Sequence, residues 1–224
     1  MIYFLNILFG LTIRIIALCC LKFSKIIRFH YSHIRGAIIE EDFNNISFPN
    51  ILMNSIILIE DRRFVDHMGV DFYSITRAIY RYLFKNKIEG ASTITQQLVR
   101  LITNQREIKI SRKIKEIILA SLIENEFTKE DILKIYVLKY NFNNCVGLHT
   151  FSVAAGYKTY DLTNIEIFQI LARLKYPSIN QSNYIRYLKR VRTIEIILSK
   201  SFLFSKNKNI SIEHEKLPGL MESL

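Results

Sequence analysis

EDRRFVDHMGVD, residues Glu60–Asp71, is the stretch around which this sequence is organised. Four acids, two arginines, a histidine and one of only seven glycines follow directly on the apolar run ILMNSIILI. The change of polarity reads as a helix running into a loop. Glu60 and Asp61 then stand at a helix end, where a carboxylate in a sheltered site can accept a proton from a substrate. An acidic pair is just as naturally the solvated end of a helix, and a lone histidine such as His67 just as naturally a hydrogen-bonded structural residue. Gly69 suits a backbone position that needs positive φ.

Outward from this loop the chain reads as one helix after another. Only Pro49, Pro177 and Pro218 occur, so no proline breaks a helix between the first two. Apolar residues recur at three and four spacing, which predicts helices over 51–60, around Ile75–Leu83, and over 92–103, 111–126, 128–140, 163–174 and 184–200. TKED at Thr128–Asp131 suits a helix start. No strand pair stands out, and the expected fold class is mainly α. At 224 residues the chain can bury one good core. The expected organisation is a membrane anchor over 1–21, a connector over 22–48, a main domain over 49–200 and a polar tail over 201–224.

The anchor is read from MIYFLNILFGLTIRIIALCCL, whose one charged side chain is Arg14. A bilayer core needs roughly 20 apolar residues as a helix. Lys22, Lys25, Arg28 and Arg35 all follow this run, and by the positive-inside rule they would hold the rest of the chain in the cytoplasm. Cys19, Cys20 and Cys145 suggest no structural disulfide.

The net charge of +11 asks for a polyanionic partner: nucleic acid, anionic lipid or a phosphorylated substrate. Between Arg77 and Lys115 there are ten Lys or Arg and two acids. Phe72, Tyr73, Tyr80, Tyr82 and Phe84 open that basic region, a combination suited to a membrane interface or to single-stranded nucleic acid. GASTITQQ, Gly90–Gln97, places Thr93 and Gln97 four apart on a helix, as groups that could read sugars or phosphates. In SRKIKEIILASLIENE, Arg112, Lys113 and Glu116 share one helical face. A carboxylate among cations stays ionised, and the same cations could clamp a pyrophosphate. Taken singly, these two stretches are as well read as a capped helix start and a surface ion-pair helix.

Together, in this order and spacing, EDRRFVDHMGVD, GASTITQQLVR and RKIKEIILASLIE closely resemble the family 51 peptidoglycan glycosyltransferases. The patterns E-D-x-x-F-x-x-H-x-G and G-x-S-T-I-T-Q-Q are complete, and the likeness runs roughly over residues 51–178, through LARLKYPS. The resemblance implies a lysozyme-like helical fold with a membrane-dipping jaw, here Gly69–Gly90. It implies polymerisation of lipid II, an undecaprenyl-pyrophosphate-linked disaccharide–pentapeptide, at the outer face of the bacterial cytoplasmic membrane. Glu60 would be the general base, and Glu116 the second catalytic glutamate, on the leaving-group side. Arg112 and Lys113 would bind phosphate. Asp61, Phe64, His67, Thr93, Gln97 and Arg100 would line the substrate site. A divalent metal, magnesium or manganese, is implied as cofactor. Lipid II, the growing glycan strand and anionic lipids are the implied partners, with other cell-wall synthases as further candidates and nucleic acid not among them. No transpeptidase domain fits after residue 180, so the expected enzyme is monofunctional. YNFNNCVGLH, from Tyr140, departs from a glycine-richer turn in the family.

Three other readings belong to different classes. A lysozyme-like hydrolase or lytic transglycosylase would cleave glycan and has no need of Arg112, Lys113 or an anchor. A nucleic-acid-binding protein would explain the charge but gives Glu60, Gln97 and Glu116 no task. A catalytically degenerate scaffold would not need both glutamates.

Overall fold

A computed structural model describes residues 2–41, 48–105, 107, 109–142, 145–147 and 162–201. The tail beyond residue 201 and most of the stretch after YNFNNCVG lie outside the described residues. The fold is mainly α, as the periodicity predicts. Its helices are α1 (Ile2–Phe23), α2 (Lys25–Ile39), α3 (Asn50–Glu60), α4 (Phe72–Lys85), α5 (Ile94–Thr103), α6 (Ile110–Glu126), α7 (Lys129–Lys139), α8 (Asn164–Arg173) and α9 (Tyr184–Ser199), with one 3-10 turn at Phe64–Asp66.

The core lies where α5, α6 and α7 meet. Leu98 and Val99 of α5, Leu119 and Ile123 of α6, and Ile132 and Ile135 of α7 are buried, each contributing about 1.5–3 kcal/mol. α8 and α9 pack on each other, and α8 also meets α3. Local chemistry fixes the helix starts. Thr128 and Asp131 form a reciprocal capping box at α7, and Thr163 and Glu166 form another at α8.

Two stretches differ from the sequence expectation. A two-residue antiparallel ladder joins Asn141–Phe142 to Cys145–Val146, too short for an alternating pattern to show in sequence. Gly147 closes it at φ +83°, where a Cβ would come within 2.6 Å of the Leu138 carbonyl oxygen. The stretch read as a connector contains α2, capped by the Ser24 hydroxyl and packed on α5 and α6.

The helix α1 holds a 20-residue segment, Phe4–Phe23, of mean hydropathy 2.2, long and apolar enough to cross a membrane. It lies against α6, α2 and α4. The charge in its middle is not turned to the outside: Arg14 is half-buried and its Nη2 donates to the Glu124 carbonyl oxygen at 3.2 Å.

Candidate active site

Glu60 is the last residue of α3, and the backbone leaves the helix at Asp61. The chain then turns back through Phe64–Asp66 to Gly69, which presses against α6. At φ +85°, a Cβ on Gly69 would stand 2.8 Å from the Ala120 backbone, so a side chain there is blocked twice over. The Gly69 carbonyl accepts from Thr93 Oγ1 at 2.8 Å and from Gln96 Nε2 at 3.1 Å. The first two motifs are thus joined through one carbonyl.

Asp61, Phe64, His67 and Thr93 form the buried layer behind Glu60. Asp61 Oδ2 accepts from the Ile94 backbone N–H at 3.0 Å, and Thr93 caps α5 through the Gln96 N–H. His67 Nε2 lies 3.0 Å from the same Asp61 oxygen, and His67 Nδ1 is 4.0 Å from Glu124. Phe64 is 1% exposed, with Lys129 Nζ 4.4 Å from its ring centroid. These four residues tie the end of α3 to the start of α5 and leave Glu60 facing the open side.

Glu60 borders a hollow of about 330 Å³ together with Arg62, Arg77 and Ser92. Its side chain is 16% exposed, sheltered yet open to a ligand. Gln97 Nε2 donates to Glu60 Oε2 at 3.4 Å, and Arg190 Nη2 of α9 donates to Oε1 at 3.3 Å. Gln97 is itself oriented by Tyr136, whose hydroxyl donates to its Oε1 at 3.0 Å. Burial, with the Glu60 charge nearby, raises the Tyr136 phenol well above its ordinary value, so it stays a neutral donor. Gln97 also lines a second, larger hollow of about 970 Å³ with Arg100, Asn104 and Asn183.

Glu116 has the opposite surroundings. It is 3% exposed and three cations close on it. Arg100 grips it with two bonds, Nε to Oε1 at 2.9 Å and Nη2 to Oε2 at 3.1 Å. Arg112, one helical turn before it, donates to Oε1, and Lys113 Nζ lies 3.5 Å from Oε2. Burial opposes the charge, but the Arg100 bonds and the three positive charges outweigh it and hold the carboxyl below its ordinary range. Lys113 is shifted down by burial and by its neighbours Arg100 and Arg112, against the pull of Glu116. Its ammonium also donates to Gln96 Oε1 at 2.6 Å and Ser92 Oγ at 2.7 Å. Three cations around one carboxylate leave an uncompensated positive charge.

The structure therefore brings Glu60 together with Gln97, and Glu116 with Arg100, Arg112 and Lys113. Arg190, Tyr136, Ser92 and Gln96 join the site without being among the residues the sequence points to. Arg190 lies 130 residues from Glu60 in the chain, beyond any local pattern. The paired amides of GASTITQQ were a signal for Gln96.

Residues 36–200 match the family described as Transglycosylase. The penicillin-binding protein 1A of Rickettsia felis is 40% identical over 156 residues, 64% of this chain and 19% of that protein. That of Streptococcus pneumoniae is 39% identical over 126 residues, 54% of this chain and 17% of that protein. The monofunctional glycosyltransferase of Staphylococcus epidermidis is 29% identical over 169 residues, 70% of this chain and 63% of that protein. The chain thus spans less than two thirds of each of these relatives. With the family's description matched over most of its length and the three motifs meeting in one site, this chain belongs to the transglycosylase family, glycosyltransferase family 51.

Proposed function

We propose that this chain is a peptidoglycan glycosyltransferase that polymerises lipid II into glycan strands. The observation that carries the reading is the contrast between its two glutamates: one sheltered but open carboxylate, and one carboxylate enclosed by cations. Glu60 takes the proton from the 4-hydroxyl of the acceptor sugar. The freed oxygen pair forms a bond to C1 of the donor sugar as the bond from C1 to the pyrophosphate oxygen breaks. The electron pair leaves with the lipid pyrophosphate, and the configuration at C1 inverts. Gln97 and Arg190 hold the two oxygens of Glu60 and keep the carboxylate aimed. Arg100, Arg112 and Lys113 meet the charge that develops on the leaving pyrophosphate. Glu116 keeps those mutually repelling cations together. Asp61, Phe64, His67 and Thr93 act from behind, holding the wall that carries Glu60.

A divalent ion was expected at the pyrophosphate. Among the described residues no group of three or more His, Cys, Asp or Glu could hold one, and the Glu116 oxygens are engaged by cations. No step is routed through such an ion.

The same reading places the domain at the outer face of the bacterial cytoplasmic membrane, beside anionic lipid. α1 supplies the apolar segment. α4 has no buried residue and exposes Ile79, Tyr80, Tyr82, Leu83 and Phe84, an apolar surface suited to a lipid interface. The basic residues after α1 are partly engaged by the domain, since Arg35 Nε donates to Glu126 at 2.6 Å.

The test is incubation of the purified chain in detergent with labelled lipid II, and separation of the products on a gel beside Glu60→Gln. A glycan ladder from the wild type alone supports the assignment. Intact lipid II with both folded proteins would sink it in favour of a degenerate scaffold.

A further inference from the structure

A membrane anchor needs only to be apolar, but α1 carries a stripe that is not. Asn6, Gly10, Arg14 and Ala17 recur at helical spacing along one face. Asn6 and Ala17 are fully buried. Asn6 Nδ2 donates to Asp71 Oδ1 at 3.4 Å, and its Oδ1 accepts from the Tyr73 backbone N–H at 3.4 Å. Gly10 packs against Met68, so closely that a Cβ on it would be 3.1 Å from the Met68 Cβ. The Phe9 and Phe72 rings meet at 5.0 Å between centroids, tilted by 46°. Arg14 reaches the Glu124 carbonyl. Small and amide-bearing residues at a helix interface are how helices dock within lipid, where burying apolar surface gives no gain. The opposite face remains apolar and exposed, with Phe4, Leu8, Leu11 and Ile15.

The segment gripped by this stripe runs from Met68 to Tyr73, between the His67 of the site and the first turn of α4. α4 buries no residue of its own, and α1 is its principal helix neighbour. Its start is also held by Arg63: Asp71, which caps α4, takes two bonds from it, Nε at 3.0 Å and Nη2 at 2.7 Å, and Arg63 Nη2 donates to Ser74 Oγ at 2.8 Å while its guanidinium lies 4.3 Å from the Tyr73 ring centroid.

We propose that α1 is a lateral clamp as well as a tether: its Asn6–Gly10–Arg14–Ala17 stripe docks on the domain and holds α4 against the wall of the active site. Docking in this manner accounts for a buried amide and an arginine inside an otherwise apolar segment. It requires nothing of the chemistry proposed above and stands or falls separately.

The test uses the full chain in lipid vesicles with Cys19, Cys20 and Cys145 changed to serine. Gly10→Cys combined with Met68→Cys brings two Cβ atoms near the 3.5–4.5 Å a disulfide needs. That pair should cross-link under mild oxidation and return to the uncross-linked mobility on reduction. Leu8→Cys with Met68→Cys, on the exposed face, should not. In parallel, Asn6→Leu should speed amide hydrogen exchange across α4 at least tenfold while α5 and α7 keep wild-type protection, which shows the core intact. Leu8→Ala should change neither. Equal cross-linking of the two cysteine pairs, or α4 exchange indifferent to Asn6→Leu, would overturn the clamp.

Discussion

Glu60 and Glu116 carry the same functional group and have opposite neighbourhoods. Glu60 ends a helix, borders a hollow and is held by one bond to each oxygen, both longer than 3.2 Å. Glu116 lies in the middle of α6, is almost wholly enclosed and faces three cations. A loosely held, accessible carboxylate can accept and return a proton. One locked among positive charges below its ordinary range is a poor base and a good scaffold. The difference shows that a pair of acidic residues in one site need not be an acid and a base. Here one is fitted for proton transfer and the other for arranging charge.

The largest effect that could break this comparison comes from Glu60→Gln. It keeps the size of the side chain and removes the base, so polymerisation on lipid II gels should fall by about 10²–10⁴-fold. The melting temperature should stay close to wild type, since glutamine keeps one acceptor oxygen, the bond lost is long and the site is partly open. A large loss of stability would make Glu60 structural instead. Next comes Glu116→Gln, which leaves Arg100, Arg112 and Lys113 facing one another. Removing one partner of a buried ion pair costs about 3–5 kcal/mol, so thermal unfolding should drop visibly as activity falls. Wild-type stability in that variant would contradict the scaffold role.

Gly69→Ala tests the wall behind Glu60. The positive φ and the 2.8 Å approach to α6 predict a loss of roughly 2–4 kcal/mol, read by denaturant unfolding. Arg190→Ala should have a smaller effect. Activity should fall about tenfold through kcat rather than KM, because the guanidinium orients the base instead of holding the leaving pyrophosphate. The smallest expected effect is in pH. Burial pushes the Asp71 carboxyl up, but the Arg63 and Ser74 hydrogen bonds prevail and hold it below the usual carboxylate range. A depressed folded-state value means stability that is present above about pH 4 and lost as pH falls further. Asp71→Asn should flatten that acid limb of thermal stability.

Much of this was legible in the sequence because it is local. Every helix from α3 to α9 follows from apolar spacing, and the Thr128 capping box follows from TKED. Arg112 and Glu116 share a face because a helix repeats every 3.6 residues. The three motifs identified the family. What was not legible is what tertiary packing decides. No spacing rule brings Arg190 of α9 to the end of α3, or Arg100 of α5 to Glu116 of α6. Phe64, Thr93 and His67 sit in the motifs, and only the fold shows that they form a buried layer behind the base. Gln96 and Gln97 are adjacent in sequence and diverge in space, one to Lys113 and Gly69, the other to Glu60 and Tyr136. α1 reads as a plain apolar segment until its buried stripe is seen against Met68 and Asp71.

The division of labour between the two glutamates is tested most directly by calorimetric titration of inorganic pyrophosphate into the wild type, Glu60→Gln and Arg100→Ala. Glu60→Gln should bind pyrophosphate as the wild type does while its polymerisation falls by about 10²–10⁴-fold, and Arg100→Ala should bind it at least tenfold more weakly. Loss of pyrophosphate binding in Glu60→Gln, with Arg100→Ala unchanged, would contradict that division.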